Sequence, residues 1–189
     1  MAGARQASLK RYVALLRGIN LGARNKIGMA DLRALFENLE AEDVETYVQS
    51  GNVVFRSRTA RDELGRRIER RISSELGLEI KVLLRTSAEL AKLVAGNPFA
   101  KRQSDPVKLH VTFLADTPAP ARVRALDRTQ FEPDEFRVAG REVYLHTPNG
   151  YGRSKLSNAY FETQLGVAAT TRNWKTVTAL ADLAQAPAS

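Results

Sequence analysis

Apolar positions change their period along the chain, and each change marks an element. Residues 11–17, RYVALLR, form a short apolar run consistent with a buried strand, which passes straight into a loop of glycine, amide and cation over residues 17–26. From Met29 the apolar residues fall at Met29, Leu32, Leu35, Phe36 and Leu39, a helical spacing, with Asp31 in the first turn to suit the helix dipole. DVETYVQ and NVVFRS then read as strands on either side of Ser50-Gly51, a two-residue hairpin signal. Thr59 with Asp62 resembles a capping box ahead of Leu64, Ile68, Ile72 and Leu76, and Gly77 stops that helix. EIKVLLR, residues 79–85, is a further strand. Residues 11–85 therefore predict β-α-β-β-α-β, the split βαβ of a ferredoxin-like sandwich with both helices on one face of an antiparallel sheet.

A second capping box, Thr86 to Glu89, opens a helix through Leu90, Leu93 and Val94, which Gly96-Asn97-Pro98 ends. Polar residues 99–106 mark a boundary, so the chain divides into a ferredoxin-like part, 8–96, and a second α+β part, 97–185, with flexible ends at 1–7 and 186–189. In KLHVTFL, residues 108–114, Leu109, Val111 and Phe113 share one face and His110 and Thr112 the other. Thr117-Pro118 predicts a helix start, and residues 136–138 and 142–145 a hairpin across Ala139-Gly140. After Gly150-Tyr151-Gly152 a helix runs through Leu156, Phe161 and Leu165 to Gly166, and a last one from about Asn173 carries Trp174, Val177, Leu180 and Leu183. No internal repeat is legible. The expected class is α+β: an N-terminal βαββαβ sandwich, then a half with a short antiparallel sheet and C-terminal helices.

Composition narrows the chemistry. The 189 residues hold 43% hydrophobic and 26% charged residues, enough for a buried core. There is no cysteine and there are two histidines, His110 and His146, so disulfides, thiolate metal sites and cysteine nucleophiles are excluded, no metal site is expected, and no cofactor is implied. The start has positive charge without the apolar run of a signal peptide, and no stretch approaches the roughly 20 apolar residues of a membrane helix, so a cytoplasmic protein without membrane contact is expected. A net charge of +8 favours polyanionic partners.

Four polar clusters interrupt the scaffold: residues 17–26, 49–52, 149–155 and 170–174. Glycines that let a backbone approach, beside a lysine or arginine and a helix N-terminus, make an anion cradle. The candidate ligand-binding residues are Arg17, Asn20, Asn25, Lys26, Ser50, Asn52, Tyr151, Lys155, Thr171, Arg172 and Asn173. Each also has a structural reading: Ser154 and Thr171 as helix caps, Asn20 and Asn25 as turn formers, Gly152 as a residue with positive φ. The cations Arg17, Lys26, Lys155 and Arg172 resist it, because a helix start disfavours positive charge. Neither nucleotide fingerprint is met: the third cluster lacks the P-loop glycine spacing, and Gly18-Ile19-Asn20-Leu21-Gly22 lacks that of the dinucleotide motif. Arg66, Arg67, Arg70 and Arg71 alternate with acids and read as a solvated helix face. His110 reads as a strand histidine, Trp174 as a core anchor, and Tyr151 as the better stacking platform.

The strings YVALLRGINLG, NKIGMADLRALFENL, VETYVQSGNVVF, the NPF at Asn97, GYGRSKLS and ATTRNWKTV together resemble the bacterial domain-of-unknown-function family numbered 1697, over nearly the whole chain from about Tyr12 to Leu183. The resemblance implies an α+β protein with a ferredoxin-like first part, and it implies no activity and no catalytic residue. Ala23-Arg24 stands where relatives usually have glycine and a varied residue.

Three functions follow as expectations. The first is a basic module binding RNA, another nucleic acid or a phosphorylated small molecule where its loops join. The second is a cofactor-independent enzyme on a small anionic substrate, with His146, Tyr151 or Glu162 as candidate acid or base and no residue assigned as catalytic. The third is an interaction or scaffold protein without a ligand site, its loops packed against each other across the two halves.

Overall fold

The structure, a computed structural model, describes residues 8–20 and 25–187. The expected flexible end 1–7, residues 188–189 of the expected flexible end 186–189, and the loop residues Leu21, Gly22, Ala23 and Arg24 lie outside the described residues. The protein is α+β and divides into two compact units, residues 1–89 with 182–189, and residues 90–181.

The first unit runs β1 (Lys10–Leu16), α1 (Met29–Glu37), β2 (Glu42–Tyr47), β3 (Asn52–Ser57), α2 (Arg61–Leu76) and β4 (Val82–Thr86), followed directly by α3 (Ser87–Ala95). Its strand order, β2-β3-β1-β4, with every neighbour antiparallel, is the ferredoxin-like sandwich that the periodicity predicts. Alternation puts Tyr12, Ala14 and Leu16 on the face that meets Leu32, Phe36, Leu64, Ile68 and Ile72 of the two helices in one apolar core. Gly77, in the left-handed conformation, ends α2 as expected.

Two local expectations are corrected. The β2–β3 connection is the four residues 48–51 rather than Ser50-Gly51 alone, with Val48 at φ 49° and Gly51 at φ 74°, because Tyr47 already pairs with Asn52. Thr59 does not cap α2: the N-cap is Ala60 without a side-chain bond, and the Thr59 hydroxyl instead accepts from Arg67. Thr86, by contrast, does form its box: its Oγ1 accepts from the Glu89 N–H at 3.3 Å, and Glu89 accepts from the Thr86 N–H at 2.8 Å. Thr86→Ala is therefore expected to lower stability by about 1 kcal/mol and Thr59→Ala by under about 0.5 kcal/mol, checked by urea unfolding.

The second unit contains β5 (Leu109–Leu114), α4 (Pro120–Arg124), β6 (Glu135–Ala139), β7 (Glu142–His146), α5 (Asn158–Leu165) and β8 (Ala169–Asn173), followed directly by α6 (Trp174–Gln185). Its order is β6-β7-β5-β8, again antiparallel throughout, so the βαββαβ topology occurs twice. The repeat is in topology and register rather than identity. Val13 of β1 pairs with the buried Arg85 of β4, and Val111 of β5 pairs with the buried Arg172 of β8; the next residue in each last strand, Thr86 or Asn173, caps the helix that follows. A shared hydrophobic period can carry one topology through sequences with little identity, which is why no repeat was legible.

The helical face of this sheet is built from Leu114, Phe136, Val143, Leu145 and Ala169 against Phe131, Phe161 and Leu165. Helix α4 starts two residues later than expected, with Ala119 as N-cap and Pro120, not Pro118, at the first helical position. Residues Tyr151–Arg153 form a 3-10 turn, and α5 begins only at Asn158, where Ser157 rather than Ser154 caps it. The largest difference is β8. Thr170-Thr171-Arg172-Asn173 reads as a polar loop, yet it hydrogen-bonds along β5 as an edge strand. Two β-branched threonines suit an extended chain, and an edge strand needs no fully apolar face to be held there.

Candidate functional site

The four polar clusters form two pairs, one in each unit. In the first unit, Asn20 joins the loop after β1 to the turn between β2 and β3. Its amide donates to the carbonyls of Ile27 at 3.1 Å and Gln49 at 2.8 Å, and its Oδ1 accepts from the Ile27 N–H at 2.9 Å. Asn20 and Asn25 both have positive φ, 54° and 49°, and Asn25 donates to the Gly18 carbonyl at 3.1 Å. Both are turn formers whose side chains are engaged by backbone. Asn52 is fully buried and donates to the Tyr47 carbonyl and to Ser50 Oγ at 2.8 Å, and the Arg17 N–H donates to the Lys81 carbonyl.

Lys26 is different. It is exposed and makes no hydrogen bond or ion pair among the described residues. With Asn20, Ile27, Gly28, Met29 and Gln49 it lines a cavity of about 460 Å³ in which it is the one charged lining residue among those described. The cavity abuts the start of α1, whose N-cap is Gly28 and whose first turn lacks a side-chain cap. Asp31 folds back toward that turn: its Oδ2 stands 2.9 Å from where a Cβ on Gly28 would sit.

In the second unit, the 149–155 loop meets β8 through Tyr151. The Tyr151 ring, read from the sequence as a stacking platform, is half-buried and stacks on His110 at 4.6 Å between centroids. Burial raises its pKa, and a hydrogen bond with Thr171 opposes that rise. Thr171 Oγ1 also lies 2.7 Å from Thr112 Oγ1 and donates to Asn158 Oδ1 at 2.7 Å. His110 is buried, its Nδ1 has no hydrogen-bond partner, and burial brings its pKa down to about 4. Sequence reasoning missed this histidine–tyrosine stack, since nothing in the spacing of residues 110 and 151 links them.

Arg172 is buried and donates through one nitrogen to Thr170 Oγ1 at 2.7 Å and to the Thr171 carbonyl at 3.0 Å; burial brings its pKa down to about 10. Asn173 caps α6 by accepting from the Thr176 N–H at 2.8 Å, and Trp174 is half-buried at that helix's first position. Lys155 is exposed and lines a separate cavity with Arg153. Gly152 does not have the positive φ expected of it; Gly150 does, at 89°.

The groups considered for acid–base work are engaged by the protein. Glu162 accepts from the Ala169 N–H at 2.9 Å. His146 Nδ1 lies 3.2 Å from Glu135, and its Nε2 lies 3.2 Å from the amide nitrogen of Gln103. Gln103 Oε1 accepts from the Asp105 N–H, so its nitrogen faces the histidine and can only donate; neutral His146 therefore carries its proton on Nδ1, toward Glu135. The hydrogen bond from Arg102, then that from His146, holds the Glu135 carboxyl below its usual range against the opposing effect of burial. Among the described residues no group of three His, Cys, Asp or Glu is placed to hold a metal, and no helix is long and apolar enough to cross a membrane. On α2, Glu69 pairs with Lys81 at 3.1 Å and Arg71 with Glu75 at 2.6 Å, the ion-pair lacing expected of a solvated face.

Residues 9–144 match a family described as a protein of unknown function, DUF1697. The chain belongs to the DUF1697 family. The DUF1697 match covers β1 through most of β7 and ends before the 149–155 loop and β8. No curated protein matches the sequence. Among solved structures, a conserved bacterial protein from Streptococcus pneumoniae is similar with a TM-score of 0.74 and 24% identity, over 94% of this chain and 100% of that one. That likeness is one of fold.

Proposed function

We propose that the protein is a basic module that binds a phosphate-bearing ligand, an RNA or nucleotide, at the end of the first sheet where β1, the β2–β3 turn and the start of α1 come together. Lys26 carries the proposal: an exposed lysine without an acid partner among the described residues, in a cavity with no carboxylate among its described lining residues, beside a helix start that no side chain caps. The amides of Asn20, Asn25 and Asn52 hold the loops, so the cation rather than the asparagines meets the ligand. A phosphate there gains both the ammonium and the positive end of α1. The net charge of +8 adds long-range attraction for a polyanion.

Two substitutions test the site in opposite directions. Lys26→Ala should weaken binding of a labelled single-stranded RNA about tenfold, the loss of one charge-assisted contact. Asp31→Asn should strengthen it, because a carboxylate at the first turn competes with the phosphate for the helix start. Equal affinity in wild type and both variants, with unchanged circular dichroism, would contradict the proposal.

A further inference from the structure

We propose that the second unit carries a separate site for a small zwitterion bearing an ammonium and a carboxylate, an α-amino acid, between residues 130–134 and 149–155. A cavity of about 310 Å³ lies between these two segments. That volume is at the low end for small-molecule pockets, which run from about 300 to 1,000 Å³. Its charges are sorted by wall. Glu132 and Asp134 both belong to the first segment, and Arg153 and Lys155 both belong to the second. Among the described residues, none of the four makes a side-chain hydrogen bond or an ion pair.

Both walls are set in place by the unit's own packing. On the acidic side, Phe131 is buried edge-on against Phe136 and Tyr160, and the Asp134 N–H donates to the Phe131 carbonyl at 2.8 Å. On the basic side, Tyr151 is fixed by its stack on His110, and the Ser154 N–H donates to the Tyr151 carbonyl at 3.0 Å. Opposite charges therefore line one cavity without closing into ion pairs, on backbone that is already ordered before any ligand arrives. A simple anion entering this cavity is repelled by Glu132 and Asp134, and a simple cation by Arg153 and Lys155. A dipolar ligand satisfies both walls at once, its carboxylate toward Arg153 and Lys155 and its ammonium toward Glu132 and Asp134. This site lies in the other unit from Lys26, so its failure and the failure of phosphate binding are separate results.

The test is a titration of the isotope-labelled full chain, followed by amide resonances, with each of the twenty common α-amino acids. N-acetyl amino acids, amino-acid amides and inorganic phosphate serve as singly charged or purely anionic controls. At least one amino acid should shift residues 130–134 and 149–155 together, and its N-acetyl and amide derivatives should bind about tenfold or more weakly, one charge-assisted hydrogen bond each. Lys155→Ala should erase the preference for the acid over the amide and leave that for the free amine. Asp134→Asn should do the reverse. No shift with any amino acid at tens of millimolar, equal binding of the blocked derivatives, or stronger shifts at both segments with phosphate would overturn the proposal.

Discussion

Gly51→Ala is expected to destabilise the protein by about 3 kcal/mol, combining the cost of a left-handed L-residue with overpacking of a filled core. Gly51 has φ 74°, and a Cβ there would stand 2.8 Å from two atoms of Ile19 and 2.9 Å from Leu16 Cβ. All three belong to buried residues of the first core. The backbone cannot swing aside cheaply, because the Gly51 carbonyl accepts the Leu16 N–H at 2.8 Å and the next residue pairs with β1. Gly152→Ala is the control: it lacks a positive φ, has open space around it and should change stability by under about 0.5 kcal/mol. Urea unfolding of both variants measures the difference, and a Gly51→Ala midpoint equal to wild type would refute the packing described for this turn.

The second large effect is a loss of stability in acid that traces to His110. Its folded pKa is about 4, against 6.5 for the exposed side chain, and the cause is burial. Below pH 6.5 the unfolded chain takes up a proton that the folded chain refuses, so stability falls as pH drops toward 4 and then levels off. The total is about 3 kcal/mol, the free energy of a shift of roughly two and a half pH units. The ring that stacks on His110, Tyr151, is a phenol neutral throughout this range, with burial raising its pKa further, and the nearby Thr112, Thr171 and Asn158 are uncharged. His110→Phe keeps an aromatic ring against Tyr151 and cannot titrate. The stability difference between wild type and His110→Phe should therefore move by about 3 kcal/mol in favour of the variant between pH 7 and pH 4. Comparing the two proteins cancels the carboxylates, such as Glu135, whose lowered pKa also costs stability in acid. Parallel pH curves would mean that His110 is protonated in the fold.

Much of the first unit was legible because its apolar strands and both sandwich helices each follow one period. β1 and β3 are apolar runs, α1 and α2 keep a helical stripe, and Gly77 takes the left-handed conformation that stops α2. β8 was not legible, because its identity as a strand comes from the hydrogen bonds of β5 alongside it and not from its own polar residues. The same limit applies to the site. Residue types drew attention to Asn20 and Lys26 alike, but only the fold separates an amide with three backbone partners from a lysine with none among the described residues. Arg172 shows the converse: a cation at a loop-like string lies on a strand, buried, with one nitrogen donating to Thr170 and Thr171. The His110–Tyr151 stack depends on a contact between residues that lie far apart in sequence and was invisible before the topology was known.

Phosphate recognition at Lys26 is tested most directly by fluorescence anisotropy of wild type and Lys26→Ala against labelled single-stranded RNA, duplex RNA and duplex DNA, from low to physiological salt. Binding that persists at physiological salt, differs among the three, and has its salt slope lowered by about 1 in Lys26→Ala is the predicted result. Binding that vanishes with salt for all three ligands alike, and that is the same in wild type and Lys26→Ala, would contradict it.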